Sequence, residues 1–282
     1  MAIDAPGRAG TSLGVGMKLA RVIGAVLVLL LGACDPPDIS KGDSYEASVR
    51  RADEARAAGN IDTAIPLYER ALQANPNGIE AKLGLGQSFL SVGAGDEAAA
   101  QFRDVLARRS GDGNARRGLG AALIAMGQPA LAEQQIDTAL RADPGDYRAL
   151  NLLGVALDMQ GRHAEAQANY RRGIELAPEY ATLRVNYGLS VAITGPPEEA
   201  VAQLAPIASS ARSDQRARQN LAFAYAMAGD PQNALLLCRR DLPERDAQRQ
   251  LAYYMQLRSL PPQARSAEFR RNPGLVAALG GG

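Results

Sequence analysis

The chain has 282 residues, and its 31 lysines and arginines against 30 aspartates and glutamates give a formal net charge of +1. This balance produces no overall field that would attract nucleic acid. Aromatic residues make up 5% and tryptophan is absent, which leaves little from which to build a base-stacking surface.

The first segment with a clear pattern is residues 17–34, MKLARVIGAVLVLLLGAC. A basic head, a short apolar stretch and small residues before a cysteine are typical of a secretory signal. The apolar run is shorter than the roughly 20 residues that span a bilayer. Its end, LGAC, resembles the bacterial lipobox, which implies cleavage before Cys34 and lipid on that cysteine. We expect residues 1–33 to be a lipoprotein signal peptide, with Met17 as a second candidate start.

The alternative interpretation of this segment is a buried apolar helix with a structural cysteine. If Cys34 is lipidated, residues 34–44 form a flexible tether on the periplasmic side of a bacterial envelope. We prefer the outer membrane. Asp35 resembles the inner-membrane retention signal of enteric bacteria, so the choice of membrane stays open.

From residue 45 onward the sequence repeats every 34 residues, in six units. The units are residues 45–78, 79–112, 113–146, 147–180, 181–214 and 215–248. In each unit a glycine, at 59, 93, 127, 161, 195 and 229, separates two amphipathic segments. Two short helices joined by a glycine turn form a helical hairpin.

Two positions of the unit hold only small residues. The eighth position is glycine or alanine and the twentieth is alanine, and the clearest members are Gly86, Ala98, Gly120, Ala132, Gly154, Ala166, Gly188, Ala200, Ala222 and Ala234. We expect the two helices of a hairpin to touch backbone to backbone at the eighth position. Larger apolar residues recur at positions 7, 24 and 28, and a neighbouring hairpin must cover them.

This pattern resembles the tetratricopeptide repeat over residues 45–248. The resemblance implies an all-α, right-handed superhelical solenoid of six tetratricopeptide (TPR) hairpins plus a C-terminal capping helix. Arg51, Cys238 and Asp241 depart from it in the terminal units, where one face meets solvent or a cap. We expect Cys238 to be a buried, reduced thiol.

After the repeats, residues 243–260 have apolar residues at helical spacing and are the candidate capping helix, of which 249–260 lie beyond the last unit. We expect residues 261–282 to be a mobile tail, because they hold few apolar residues and end in three glycines. Phe269, Arg270 and Arg271 are a candidate docking peptide within it.

The sequence contains no recognisable catalytic, metal or cofactor motif. The single histidine, His163, follows a turn glycine and is expected to be a solvated surface residue. Gly84 and Gly118 lie in GLG runs that resemble nucleotide loops, but their place in the first helix of a unit favours close packing. We therefore expect a protein without enzymatic activity.

The tetratricopeptide resemblance implies a concave groove lined by the first helix of each unit. The candidate groove residues are Gln87, Arg117, Arg148, Asn151, Met159, Asn186, Arg216, Gln219, Asn220, Phe223 and Met227. Amide and guanidinium donors mixed with soft apolar residues suit an extended peptide. The carboxylate clamp of chaperone-binding relatives is not matched, because Ala121 and Leu152 replace its asparagines.

The whole chain resembles the TadD-type lipoproteins of tight-adherence (Flp) pilus systems. The similarity includes residues 219–230, QNLAFAYAMAGD, and residues 251–254, LAYY. It implies a scaffold that helps a secretin or another pilus component to assemble or localise. Two alternatives stay open: a general envelope scaffold for barrel assembly or cell-wall enzymes, and a cytoplasmic co-chaperone.

Overall fold

A computed structural model describes residues 44–210 and 214–271, within the compact unit of residues 43–282. Every element in the described residues is an α-helix. The helices are α1 Tyr45–Ala57, α2 Ile61–Ala74, α3 Ile79–Ser91, α4 Gly95–Arg108, α5 Gly113–Ala125, α6 Pro129–Ala142, α7 Tyr147–Met159, α8 His163–Leu176, α9 Ala181–Thr194, α10 Pro197–Ala208, α11 Gln215–Ala228, α12 Pro231–Asp241, α13 Glu244–Ser259 and α14 Pro262–Arg271. The predicted signal peptide and Cys34 lie outside these residues.

The first twelve helices form six antiparallel hairpins, one for each 34-residue unit, and each hairpin packs against the next. α13 packs against α11 and α12, where the first helix of a seventh unit would lie. The predicted all-α solenoid with a capping helix is therefore confirmed. No helix in the described part of the chain is long and apolar enough to cross a membrane.

The turn glycines fulfil their predicted role in five of the six hairpins. Gly59, Gly93, Gly127, Gly161 and Gly229 have φ between 69° and 83°, a left-handed conformation that glycine adopts without steric cost. Gly195 differs, with φ −103° and ψ −165°. It precedes Pro196, whose ring restricts the preceding residue to extended backbone.

The small residues at positions 8 and 20 are all buried, but the backbone contact predicted for position 8 was wrong. A Cβ on Gly120 would lie 2.6 Å from Ile136 Cγ1, and one on Gly188 would lie 2.6 Å from Leu204 Cγ. Ile136 and Leu204 are fully buried, and each stands at position 24 of the same unit as its glycine. Glycine at position 8 therefore makes room for a large side chain of the second helix.

The GLG runs are explained by the same packing. Phe102 lies between Gly86 of its own unit and Gly118 of the next, and a Cβ on either glycine would come within 3.0 Å of its ring. This arrangement confirms that these glycines serve packing.

The sixth unit keeps the pattern with smaller residues. Cys238 occupies position 24 opposite Ala222 and is 3% exposed, as predicted. Asp241, where the repeat has a core residue, instead forms an ion pair with Arg218 at 2.5 Å. Asp230 caps α12 by accepting a hydrogen bond from the Asn233 backbone amide at 3.0 Å.

Residues 262–271 contradict the prediction of a mobile tail, because they form α14 and bury Ser266 and Phe269. The apolar content of this segment is low, and its helix depends on contacts with distant parts of the chain that local sequence does not reveal. Residues 272–282 lie outside the described part.

Candidate functional site

The first helices of the hairpins form the inner row of the solenoid. Each of α1, α3, α5, α7 and α9 packs against the first helix of the following unit, and α11 packs against α13. No two second helices make a comparable contact within the described residues. An array whose first helices lie closer together than its second helices curves toward the first helices, so these line the concave face.

All the candidate groove residues lie on these inner helices, at different depths. Gln87 and Arg148 are exposed, Arg117, Met159, Arg216 and Gln219 are half-buried, and Asn151, Asn186, Asn220, Phe223 and Met227 are buried. The structure brings three of them together in an asparagine row, and it places a fourth, Phe223, in an aromatic cluster with residues of α13 and α14.

The asparagine row consists of Asn151 on α7, Asn186 on α9 and Asn220 on α11. Asn186 Nδ2 donates a hydrogen bond to Asn151 Oδ1 at 2.9 Å. Asn186 Oδ1 and Asn220 Nδ2 are buried and have no hydrogen-bond partner within the described structure. An unpaired buried polar group costs about 1–3 kcal/mol. Both atoms are enclosed, since Asn186 is fully buried and Asn220 is 3% exposed, so the row is part of the packing between α7, α9 and α11.

Arginine and tyrosine side chains flank the asparagine row near the N-terminal ends of α7 and α9. The Arg148 guanidinium lies 4.8 Å from the ring centre of Tyr147 and 6.0 Å from that of Tyr180. The two rings meet edge to face at 5.1 Å. Burial lowers the pKa of the nearby Arg216 guanidinium, although arginine stays charged. This edge of the groove presents positive charge together with aromatic surface.

A polar network that sequence reasoning missed lies at the opposite ends of these helices. Asp158 is 2% exposed and accepts hydrogen bonds from His163 Nδ1 at 2.7 Å, Ser190 Oγ at 2.8 Å and the Tyr170 hydroxyl at 3.0 Å. Burial raises the pKa of the Asp158 carboxyl, and its hydrogen bonds oppose that shift.

His163 was predicted to be a solvated surface residue, and that prediction was wrong, because its side chain is 7% exposed. Its Nε2 lies 2.5 Å from the hydroxyl of Ser266 on α14, 103 residues away in sequence. A sequence signal existed: Asp158 occupies position 12, where the other units hold arginine or apolar residues. A lone buried carboxylate needs partners.

Asp158, His163 and Ser266 are hydrogen-bonded in a chain, as the Asp, His and Ser residues of a serine hydrolase triad are. Ser266 is only 4% exposed and lies within a helix, and its hydroxyl also accepts a hydrogen bond from Arg270 Nη1 at 3.0 Å. A substrate carbonyl cannot reach an oxygen enclosed in this way. The network instead joins α14 to the solenoid.

The aromatic cluster joins α14 to the array a second time. Phe269 is 4% exposed, and its ring lies 5.1 Å from that of Phe223, which contacts Tyr254 of α13 at 5.3 Å. Phe223 is therefore a groove residue covered by the chain's own C-terminal helix.

Comparisons with known proteins agree with this architecture. Residues 49–115 and 117–181 match a family model described as tetratricopeptide repeat. A tetratricopeptide repeat protein from Parabacteroides merdae is 16% identical over 75% of this chain and 84% of its own, with a TM-score of 0.62. A comparison with curated proteins gives no match.

Two further solved structures are similar in fold. PilW, titled a widely conserved type IV pilus biogenesis factor, is 19% identical over 70% of this chain and 91% of its own, with a TM-score of 0.61. PilF of Pseudomonas aeruginosa is 16% identical over 71% and 91%, with a TM-score of 0.57. At these identities the likeness establishes the fold alone. The repeat model is matched over four units and the same hairpin is carried through two more, so the described residues have the fold of a tetratricopeptide-repeat solenoid.

Proposed function

We propose that this chain is a lipid-anchored scaffold that binds a protein component of a tight-adherence (Flp) pilus secretion system and helps it to assemble or localise. The general part of this function, a protein-interaction scaffold, follows from the tetratricopeptide array. The observation that carries the proposal is the concave row of first helices, on which the candidate groove residues Gln87 and Arg148 are exposed and Gln219 is half-buried.

The chemistry of the groove favours an extended peptide as ligand. A peptide backbone presents donors and acceptors in alternation, and the side-chain amides of the exposed Gln87 and the half-buried Gln219 offer both. The exposed Arg148 beside two tyrosine rings adds a place for an acidic or aromatic side chain of the ligand. Such a surface recognises a few side chains of the peptide and forms hydrogen bonds with the peptide backbone between them.

The membrane anchor and the pilus system are supported by sequence. The lipobox-like end of residues 17–34 predicts a lipidated Cys34, and residues 219–230 resemble the corresponding segment of TadD-type lipoproteins. One acyl chain gives only reversible membrane binding, whereas the several chains of a bacterial lipoprotein hold the protein in place. PilW and PilF are similar in fold, but their roles are not transferred by that similarity.

The partner is tested by photo-crosslinking in cells from a reactive residue introduced at Arg148, followed by identification of the captured protein. A secretin or another pilus component supports the proposal. Capture of a barrel-assembly protein or a cell-wall enzyme would replace it with a general envelope scaffold. A cytoplasmic chaperone as the captured protein would refute both.

The anchor is tested by fractionation of cells that produce Cys34→Ser. We expect this variant in the soluble fraction, because the lipid would be missing. Cys238→Ser is the matched control, since it removes the other cysteine, which is buried in the array, and should remain with membranes. A Cys34→Ser protein that still sediments with membranes would contradict the proposed anchor.

A further inference from the structure

The C-terminal helix leaves the stack of hairpins and crosses to the concave face. If the repeat continued, α14 would pack on α13 as the second helix of a seventh unit. It instead packs against α9, and its contact with α13 is slight. Pro261 lies between the two helices and Pro262 is the first residue of α14, so α13 cannot continue into α14, because a proline inside a helix removes a backbone hydrogen bond. α14 therefore occupies part of the surface that a ligand of the array would use.

The first residue that holds α14 is Arg265. Its Nη1 donates to the carbonyl oxygens of Ile193 at 3.0 Å and Ala192 at 3.4 Å, near the C-terminal end of α9. The same guanidinium donates to Leu257 O and Leu260 O, both at 3.1 Å. The last carbonyls of a helix lack partners within it and carry partial negative charge, so a cation is favourable there.

The second and third holding residues are Ser266 and Phe269. Ser266 donates to His163 Nε2, whose Nδ1 is fixed by the buried Asp158. Phe269 is buried against Phe223, one helix further along the inner row. The three residues thus reach three successive units of the array, and they stand at positions 1, 2 and 5 of one short segment.

The hold on α14 is otherwise limited. Ser266 and Phe269 are its only buried residues among the ten, and Pro262, Gln263, Arg270 and Arg271 are exposed. A helix of this length is not stable alone in water and forms only while it is docked. A competing segment that supplies the same three groups can replace it without unfolding a hairpin.

We propose that α14 is a ligand in cis for the concave face, and that a partner helix with arginine, a hydroxyl residue and phenylalanine at positions 1, 2 and 5 binds there by displacing it. The inference rests on the proposed function, because it names the kind of segment that this part of the groove takes. The site comprises the terminal carbonyls of α9, the His163 imidazole and the Phe223 ring.

The test measures binding of a fluorescein-labelled peptide with the sequence of residues 260–271, LPPQARSAEFRR, to the full chain. Phe269→Ala in the protein removes the largest buried group of α14 and should open the site. We expect this variant to bind the peptide about tenfold more tightly than the wild-type chain does, because the competitor in cis is weakened. Glu268→Ala is the matched control on the same helix and should bind as the wild type does.

The peptide carries its own control. A version with Ser266→Val and Phe269→Ala should lose about tenfold in affinity for the opened protein. The proposal is overturned if Phe269→Ala, with its circular dichroism intact, binds the peptide no better than the wild type, or binds both peptides equally. A dimer that disappears on Phe269→Ala would also overturn it, because the occupant would then be α14 of a second copy.

The test has a replacement variant and a second, independent readout. If Phe269→Ala does not fold, Arg265→Gln replaces it, since this change loosens only the carbonyl contacts. Crosslinking from Arg148 reports the other edge of the groove. If a pilus protein is captured there but Phe269→Ala does not bind the peptide more tightly, the proposed function stands and this inference is refuted. If Phe269→Ala binds the peptide more tightly but no pilus protein is captured, this inference stands and the proposed function is refuted.

Discussion

Replacing Gly188 with leucine tests why the eighth position of the repeat is small. A Cβ at Gly188 would lie 2.6 Å from Leu204 Cγ and 3.0 Å from both of its Cδ atoms. Leu204 is fully buried and cannot turn toward solvent. Overpacking costs about 1–3 kcal/mol, and a four-carbon side chain belongs at the upper end of that range. Leucine recovers roughly 1 kcal/mol of helix propensity over glycine, which leaves a net loss of about 2 kcal/mol.

The assay is thermal unfolding followed by circular dichroism. For a folded unit of this size, each kcal/mol shifts the melting temperature by about 2–4 °C, so we expect a decrease of about 4–8 °C. Gly113→Leu is the matched control, because Gly113 is the first residue of α5 and a Cβ there would meet nothing within 4 Å. The control should not lower the melting temperature.

A second substitution separates packing from other causes. Leu204→Ala alone should cost about 2–5 kcal/mol, because it leaves a cavity. In the double variant, the new leucine at 188 fills part of that cavity, so the combined loss should fall short of the sum by about 1 kcal/mol or more. Strict additivity, or a Gly188→Leu protein that melts with the wild type, would refute the packing argument.

Three single side-chain contacts can each be tested by one change. In the Cys34→Ser background, the Cys238 thiol should resist labelling by a thiol reagent at pH 8 until the protein is unfolded, because burial raises its pKa and closes access; fast labelling of the folded chain would be inconsistent with that burial. His163→Leu removes the hydrogen bonds that connect Asp158 to Ser266, so amide hydrogen exchange within residues 262–271 should become about tenfold faster while exchange in α1–α6 is unchanged. Unchanged exchange within residues 262–271 would show that these hydrogen bonds do not stabilise α14. Asp112→Ala should cost about 0.5–2 kcal/mol in urea unfolding, because the carboxylate accepts the Ala115 amide of α5 at 2.9 Å, and an unaltered midpoint would argue against this cap.

The hairpins and their stacking could be predicted because each depends on contacts that recur with the repeat. All six units contain the turn glycine and the alanine at position 20, and five of them have a large apolar residue at position 24, so a departure in a single unit is easily recognised. The prediction failed on the reason for Gly188 and its equivalents. Periodicity identifies which positions are small, but it does not identify the atoms that they meet.

The contacts of α14 were beyond sequence reasoning because they occur once. The link between His163 and Ser266 spans 103 residues and belongs to no repeat. The sequence indicates Phe269 as a docking residue and Phe223 as a groove residue, but nothing in the sequence predicts that their rings contact each other. Low apolar content suggested a mobile segment, and three specific contacts with the array were sufficient to order it.

The central claim is that the inner row of first helices binds another polypeptide, and paired crosslinking within one hairpin tests it most directly. A photoreactive residue at the exposed Gln87 on α3 faces the groove side, and one at the exposed Arg103 on α4 serves as the outer control. We expect a specific protein adduct from position 87 and none from position 103 in cells at native expression. Equal adducts from both positions, or an adduct from 103 alone, would contradict the claim.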